Sequence, residues 1–356
     1  MPAWRFAASA VLALIAARTE AAGEPPIPVR VVVVTTFEIG KDSGDTPGEF
    51  QNWVERYPLT QTMPFIGNRP LRYNPGQHVL GVVTGMGKSH AAAAIMALGL
   101  DRRFDFSKAY WILAGIAGID PAVGSVGSAA WAHHIIDGDA AYEIDAREIP
   151  KDWPIGIVPN NRATPYQTPP PPTKDDDVVQ FHTLDAGLVD WAYQISRDTV
   201  LPDTPRLQKA RAGYDSFPNA LKPPFVLEGD TVSADRFWIG ALSTAWAERW
   251  TGYWTHGQGI FATSAEEDTG YMQALNFLSH AHRVDLKRAL DLRTASDYTT
   301  PPAGVSAARH LAGEADGSYG AYLESLDAAY RVGSRVVTEL ATHWDKYADG
   351  VPSGKP

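Results

Sequence analysis

The chain has no cysteine in 356 residues. Disulfides, thiolate metal sites and a cysteine nucleophile are therefore excluded, and the absence fits an oxidising compartment. Past the N-terminus there is no apolar run of 18 residues, so no later segment reads as an ordinary membrane-spanning helix. Basic residues are few: 31 Lys and Arg stand against 41 Asp and Glu, a formal net charge of −10. No basic stripe is present to displace counterions, which argues against a nucleic-acid partner. No HExxH or other spaced metal set occurs. His133 and His134 are adjacent, so on a strand they point to opposite faces, and His280 and His282 are two apart, a poor spacing on a helix. A GxSxG nucleophile elbow is also missing. Metal centres and serine hydrolysis are thus not expected.

What remains is ordinary globular material, 44% hydrophobic and 20% charged, with 11 Trp. The length allows a large core. The first 22 residues read as an export signal. Arg5 supplies the charge, Phe6 to Ala17 a short apolar core, and Thr19 to Gly23 a small-residue region for cleavage. The expectation is an exported, periplasmic protein whose single domain occupies 23–356.

Strands and helices alternate through the first 140 residues, which argues an α/β class. Pro28 to Thr36, Leu80 to Val83 and Ala109 to Gly115 are apolar on both faces, as central parallel strands are. Gly124 to Ile136 holds a strand of alternating character, and Ser89 to Leu98 reads as a helix. The stretch 145–224 reads as an insertion. Its part from Asn160 to Asp177, with four prolines at 169–172, is a solvated loop or a lid over a site. Further on, Leu184 to Arg197 and Asp268 to His280 read as helices, Phe225 to Ser233 and Ala289 to Thr294 as strands. Leu323, Leu326, Tyr330, Gly333, Val337, Leu340 and Trp344 recur at spacings of three and four, one face of a long C-terminal helix.

Four motifs follow one another along this frame. Val79 to His90 is an apolar strand, a turn holding Gly85 and Gly87, then Lys88-Ser89 and an alanine-rich helix. Such a joint aims backbone N–H groups and a helix dipole at whatever binds the strand's end. Thr231 to Phe237 places an aromatic after a polar turn; Phe237 suits stacking on a flat ring or core packing, and Asp235 suits a helix cap. Ser264 to Gly270 opens a helix with Glu266, Glu267 and Asp268, as dipole complements or as acceptors for vicinal hydroxyls. Leu292 to Tyr298 runs a strand into Ser296-Asp297. An aspartate held dry there has a raised pKa and can donate a proton. Glu38 ends the first strand on the same edge and could orient a water.

In this order the motifs resemble the nucleoside phosphorylase and nucleosidase superfamily, from Val29 to about Tyr298, with the stretch 145–224 largely unmatched. The resemblance implies a three-layer α/β fold with a central mixed sheet flanked by helices. Gly87 looks like part of its first glycine turn, and Gly115 to Gly118 like its second. Phe237 resembles the residue that stacks on the purine. Glu267 resembles the ligand of the ribose hydroxyls, with Asp268 as the alternative if the match slips by one, and Glu266 stands where the superfamily has Met. Ser296-Asp297 is close to the pair whose Asp protonates the base at N7. Glu38 resembles the water-activating glutamate of nucleosidases. The chain is more similar still to the purine nucleoside permease family, through the proline-rich stretch, Gly138 to Asp145 and Glu267 to Gly270.

The resemblance implies a purine nucleoside as ligand, no cofactor and no metal, with phosphate as the alternative co-substrate. It implies cleavage of the N-ribosidic bond, or nucleoside binding for uptake without catalysis. Residues 44–49 hold no arginine for phosphate, and a negative Glu38 would repel it, which favours hydrolysis; Lys88 and Ser89 at the glycine turn keep phosphorolysis open. Relatives of the superfamily are often oligomers, so a homo-oligomer is expected by analogy.

Overall fold

The computed structural model describes residues 25–67, 69–170, 181–315 and 320–354. The expected export signal at 1–22 and the aspartates 175–177 lie outside them. The described residues form an α/β fold in which a mixed, twelve-stranded sheet is flanked by helices.

Val31–Thr35, Val79–Val83 and the first half of Tyr110–Ile119 run side by side and parallel. Every residue of the first two is buried, as their unbroken apolar runs require. Ala289–Tyr298 lies parallel along almost the whole of Tyr110–Ile119. Its side chains alternate between the two helical layers. Leu292 meets the Tyr322–Thr342 helix at Gly333, whereas Arg293 meets the Asp268–His280 helix at Asp268. The sheet is therefore sandwiched between helices, with the largest apolar cluster running through both interfaces.

The pairing around Tyr110–Ile119 is what makes a site. Val31–Thr35 pairs with it only from Tyr110 to Leu113. Phe261–Ala265 joins the same strand, antiparallel, only at Gly118 and Ile119. Between those pairings the strand edge at Gly115–Ala117 has no strand neighbour on that side. Side chains fill this gap instead, where neighbouring strands part company, as in the ligand crevices of open α/β sheets.

Several elements depart from the sequence expectation. Gly115 to Gly118 is not a turn; the strand continues straight to Ile119. The stretch Gly124 to Ile136, expected to hold a strand, holds Ala129–Trp131 and the start of a second, His134–Asp137. Ala289–Tyr298 extends four residues past the expected end at Thr294. Within 145–224, Phe181–Thr183 pairs with His134–Asp137 in the main sheet, and Ala186–Ser196 packs Leu188, Val189 and Ala192 into the main core. Among the elements that went unread are the helix Ala241–Trp254, which buries Trp246, Trp250 and Trp254, and the strand Phe261–Ala265. Among the described residues no helix is long and apolar enough to cross a membrane.

The Lys88–Gly99 and Asp268–His280 helices cross closely at Gly270, where an added Cβ would stand 2.1 Å from the carbonyl oxygen of Lys88. Backbone cannot yield as a side chain does, so Gly270→Ala is expected to cost about 1–3 kcal/mol. Urea unfolding measures this; an unchanged midpoint would contradict the close crossing.

Candidate functional site

The gap beside Gly115–Ala117 opens into a cavity of about 120 Å³. Thr36 and Phe37 follow the first strand into it. Ile116, Ala117 and Gly118 form its floor. Ser264 to Glu267 enter from the end of Phe261–Ala265, Ser296 and Asp297 from the neighbouring strand, and Glu49, Met86 and Phe237 from loops. The sequence candidates Phe237, Glu266, Glu267, Ser296 and Asp297 thus share one cavity, although Phe237 and Asp297 are sixty positions apart in the chain.

Arg293 lies behind the cavity and is almost fully buried. It gives Nε and Nη2 to Asp268 at 2.7 and 2.9 Å, and Nη2 also to Glu267 at 2.8 Å. Its Nη1 donates to the carbonyl of Ile116 at 3.1 Å. This settles which acid faces the cavity. Asp268 is wholly buried against the guanidinium, whereas Glu267 lines the cavity and accepts the Gly87 N–H at 3.0 Å. Both acids open a helix, where its dipole favours them. The surrounding carboxylates hold the Arg293 pKa well above its usual value.

Glu38 is not in the cavity. Its carboxylate accepts the N–H groups of Ile39, Gly48, Phe50 and Gln51, so it closes its own loop and caps the Gln51–Arg56 helix. Glu49 occupies the position expected of Glu38. It takes the Thr36 N–H at 2.6 Å, the Thr36 hydroxyl at 2.8 Å and the Ile116 N–H at 2.7 Å, the last on the unpaired strand edge. Sequence reading passed over Glu49 as part of a polar loop. The signal was its place one residue before Phe50, Trp53, Val54 and Tyr57, whose spacing marks a short helix packed on the core.

The glycines serve close approach. A Cβ at Gly115 would stand 2.5 Å from Arg293 Nη1 and 2.7 Å from Glu49 Oε1; one at Gly118 would stand 2.8 Å from Asp297 Oδ1. Bare strand backbone lets these side chains lie against it. Gly87, with φ +88°, is a true turn residue. Its turn is filled by the protein's own carboxylates. Glu267 takes the Gly87 N–H, and Asp235 takes the Lys88 N–H at 2.6 Å, capping a helix distant in sequence. Lys88 Nζ is held between Asp137 and Asp139, and Ser89 is exposed outside the cavity.

Three cavity carboxyls are held far above their ordinary range. Burial raises Asp297 to about 6, against a single compensating hydrogen bond from Ser296. Its Oδ1 is buried without a hydrogen-bond partner. Burial raises Glu49 to about 7, opposed by Arg293 and the hydrogen bonds from Thr36 and Ile116. Burial and the charge of Glu267 raise Glu266 to about 7. Among the described lining residues there is no lysine or arginine. The cavity therefore offers proton donors and acceptors near neutrality, with an aromatic face, Phe237, at its mouth. The histidines stand elsewhere. His133 Nε2 lies 3.1 Å from Glu228 and 3.6 Å from Asp190, a surface group that none of the cavity residues joins.

The chain matches the family model described as purine nucleoside permease over residues 28–352. It is 28% identical over 288 residues to a probable purine nucleoside permease of Schizosaccharomyces pombe, covering 76% of this chain and 78% of that protein. To the purine nucleoside permease of Candida albicans it is 26% identical over 309 residues, 82% of this chain and 74% of that one. Among solved structures it is similar to the 5′-methylthioadenosine/S-adenosylhomocysteine nucleosidase of Neisseria meningitidis bound to methylthio-immucillin-A. The TM-score is 0.50 at 16% identity, over 87% of this chain and 99% of that one. The corresponding nucleosidase of S. pneumoniae gives 0.50 and 16% over 88% and 99%. These two likenesses establish the nucleoside phosphorylase-like fold.

Raised carboxyl pKa values fix a sign for stability. The unfolded chain releases the Glu49 proton near 4.5, whereas the folded chain holds it to about 7. Stability from this group is present below pH 4.5 and is lost as pH rises toward 7, because the folded state binds more protons across that window. Glu49→Gln is expected to flatten the decline in urea-unfolding free energy between pH 4.5 and 7. The same slope in variant and parent would contradict the burial account.

Proposed function

The chain belongs to the purine nucleoside permease family, and from that premise we propose that its cavity binds purine nucleosides. The observation that carries this is the convergence of Phe237, Glu267 and Asp297 on one cavity. The purine lies against Phe237, with Asp297 at the ring nitrogen N7. Glu267 accepts the vicinal ribose hydroxyls, its carboxylate aimed by Arg293 and the Gly87 N–H. A carboxylate suits paired hydroxyls because both its oxygens accept. The permease names of the relatives support capture of nucleosides for uptake as the role of such a site. With the N-terminal residues read as an export signal, capture takes place outside the cytoplasm.

A second reading, hydrolysis of the N-ribosidic bond, has its own support in the two carboxyls poised at about 6 and 7 on the cavity wall. Asp297 gives its proton to N7 as the N9–C1′ bond breaks and the bonding electrons leave with the base. Glu49 takes a proton from water as the water oxygen bonds to C1′. The products are free purine and ribose. Positive charge develops on the sugar in between, and the carboxylates stabilise it. Phosphorolysis has less support. The N–H groups of Gly87 and Lys88 are taken by Glu267 and Asp235, Lys88 is paired with two aspartates, and the lining acids repel a phosphate dianion.

Adenosine or inosine incubated with the protein, with and without phosphate, separates these readings by chromatography. Binding with intact nucleoside identifies a carrier. Free base without phosphate identifies a hydrolase, whose rate is expected to peak between about pH 6 and 7, since Glu49 must be ionised and Asp297 protonated. In that case Asp297→Asn is expected to lower turnover by about 10²–10⁴-fold while nucleoside still binds. Base released only with phosphate would contradict the electrostatic argument. No binding of any purine nucleoside would remove the proposal.

A further inference from the structure

A second cavity of about 280 Å³ adjoins the first, and Ser296 and Asp297 line both. Small-molecule sites usually span roughly 300–1,000 Å³. The first cavity alone is below that range, whereas the two together fall inside it. Residues past the expected strand end build the second one: Tyr298 from the strand itself, Pro302 and Val305 from the loop after it, with Val126 and Tyr214 opposite.

Much of its wall suits a flat, largely apolar group. The rings of Tyr214 and Tyr298 lie 4.0 Å apart between centroids, tilted by 40°. Their hydroxyls are spent on backbone, Tyr214 donating to Thr300 O at 2.9 Å and Tyr298 to Ala220 O at 2.8 Å. Ring edges and the aliphatic atoms of Val126, Pro302 and Val305 face the space on one side, and Arg309 and His310 line it as well.

Purine geometry says what would enter. N7 and the substituent on carbon 6 share one edge of the ring system. A carboxyl that reaches N7 therefore faces position 6, and whatever that position carries projects past the carboxyl. Here the space past the carboxyl is the second cavity. We infer that the site accepts purine nucleosides carrying a bulky apolar substituent at position 6, housed in the Tyr214–Tyr298 cavity. The inference rests on the nucleoside reading above and adds the class of nucleoside.

The test compares adenosine with N6-benzyladenosine by isothermal titration, on the parent chain and on Val305→Trp, which fills the second cavity. The parent is expected to bind N6-benzyladenosine as tightly as adenosine or more tightly, since benzyl burial adds apolar contact. Val305→Trp is expected to weaken the benzyl compound by about tenfold or more and adenosine by less than about threefold. A parent that binds adenosine but holds the benzyl compound about tenfold more weakly overturns the inference and leaves the nucleoside reading standing. Equal weakening of both ligands by Val305→Trp also overturns it. Failure of both compounds to bind the parent removes the nucleoside reading itself. The parent comparison decides the matter if the variant does not fold.

Discussion

Arg293 stands with Asp268 behind it, Glu267 in front of it and the Ile116 carbonyl to one side, and almost no water reaches it. Taking charges out of water costs several kcal/mol each, and removing one partner from such a group typically costs about 3–5 kcal/mol. The arrangement is tolerable because the charges come near to balance. Burial and the charge of Asp268 push the pKa of Asp291, on the same strand, well above the carboxylate range, which favours its neutral form. Burial also raises Glu49 to about 7. A lone guanidinium thus anchors the Asp268–His280 helix to the central strands and fixes the direction of the one carboxylate, Glu267, that reaches from it into the cavity.

The position of that cavity follows from strand pairing. Tyr110–Ile119 is long enough to serve one neighbour with its first half and another with its end. The interval between them exposes backbone donors and acceptors inside the protein, and buried backbone polar groups must be satisfied. Glu49 and Arg293 meet that demand at Ile116, taking its N–H and giving to its carbonyl. The same side chains are then delivered to the cavity wall. Structural need and chemical opportunity coincide there, which explains why Gly115 and Gly118 must stay bare.

Much of this was legible in the sequence, and for definite reasons. Val31–Thr35 and Val79–Val83 are continuous apolar runs, and the Asp268–His280 helix begins at its acids and ends where expected. The motif residues Phe237, Glu267 and Asp297 were found by type and order, and they share the cavity. Phe261–Ala265 was missed because Phe-Ala-Thr-Ser-Ala is short and half polar; its place in the sheet comes from neighbours on both sides, which local pattern does not record. Glu38 was singled out because it follows the strand directly, and Glu49 was passed over as part of the loop. The loop between them doubles back, so Glu38 spends its oxygens on backbone N–H groups and Glu49 arrives at the strand end. The glycines 115–118 resembled a turn because a glycine pair usually signals one; here they answer to side chains from other strands. If the cavity takes nucleosides as proposed, the chemistry of its acids is what separates a carrier from an enzyme.

The most direct measurement is a crystal structure with a purine C-nucleoside, whose carbon–carbon glycosidic bond cannot be cleaved. The account requires the base against Phe237, its five-membered ring edge at Asp297 and both ribose hydroxyls on Glu267. A ligand absent from the cavity at saturating concentration, or bound with its sugar away from Glu267, would contradict it.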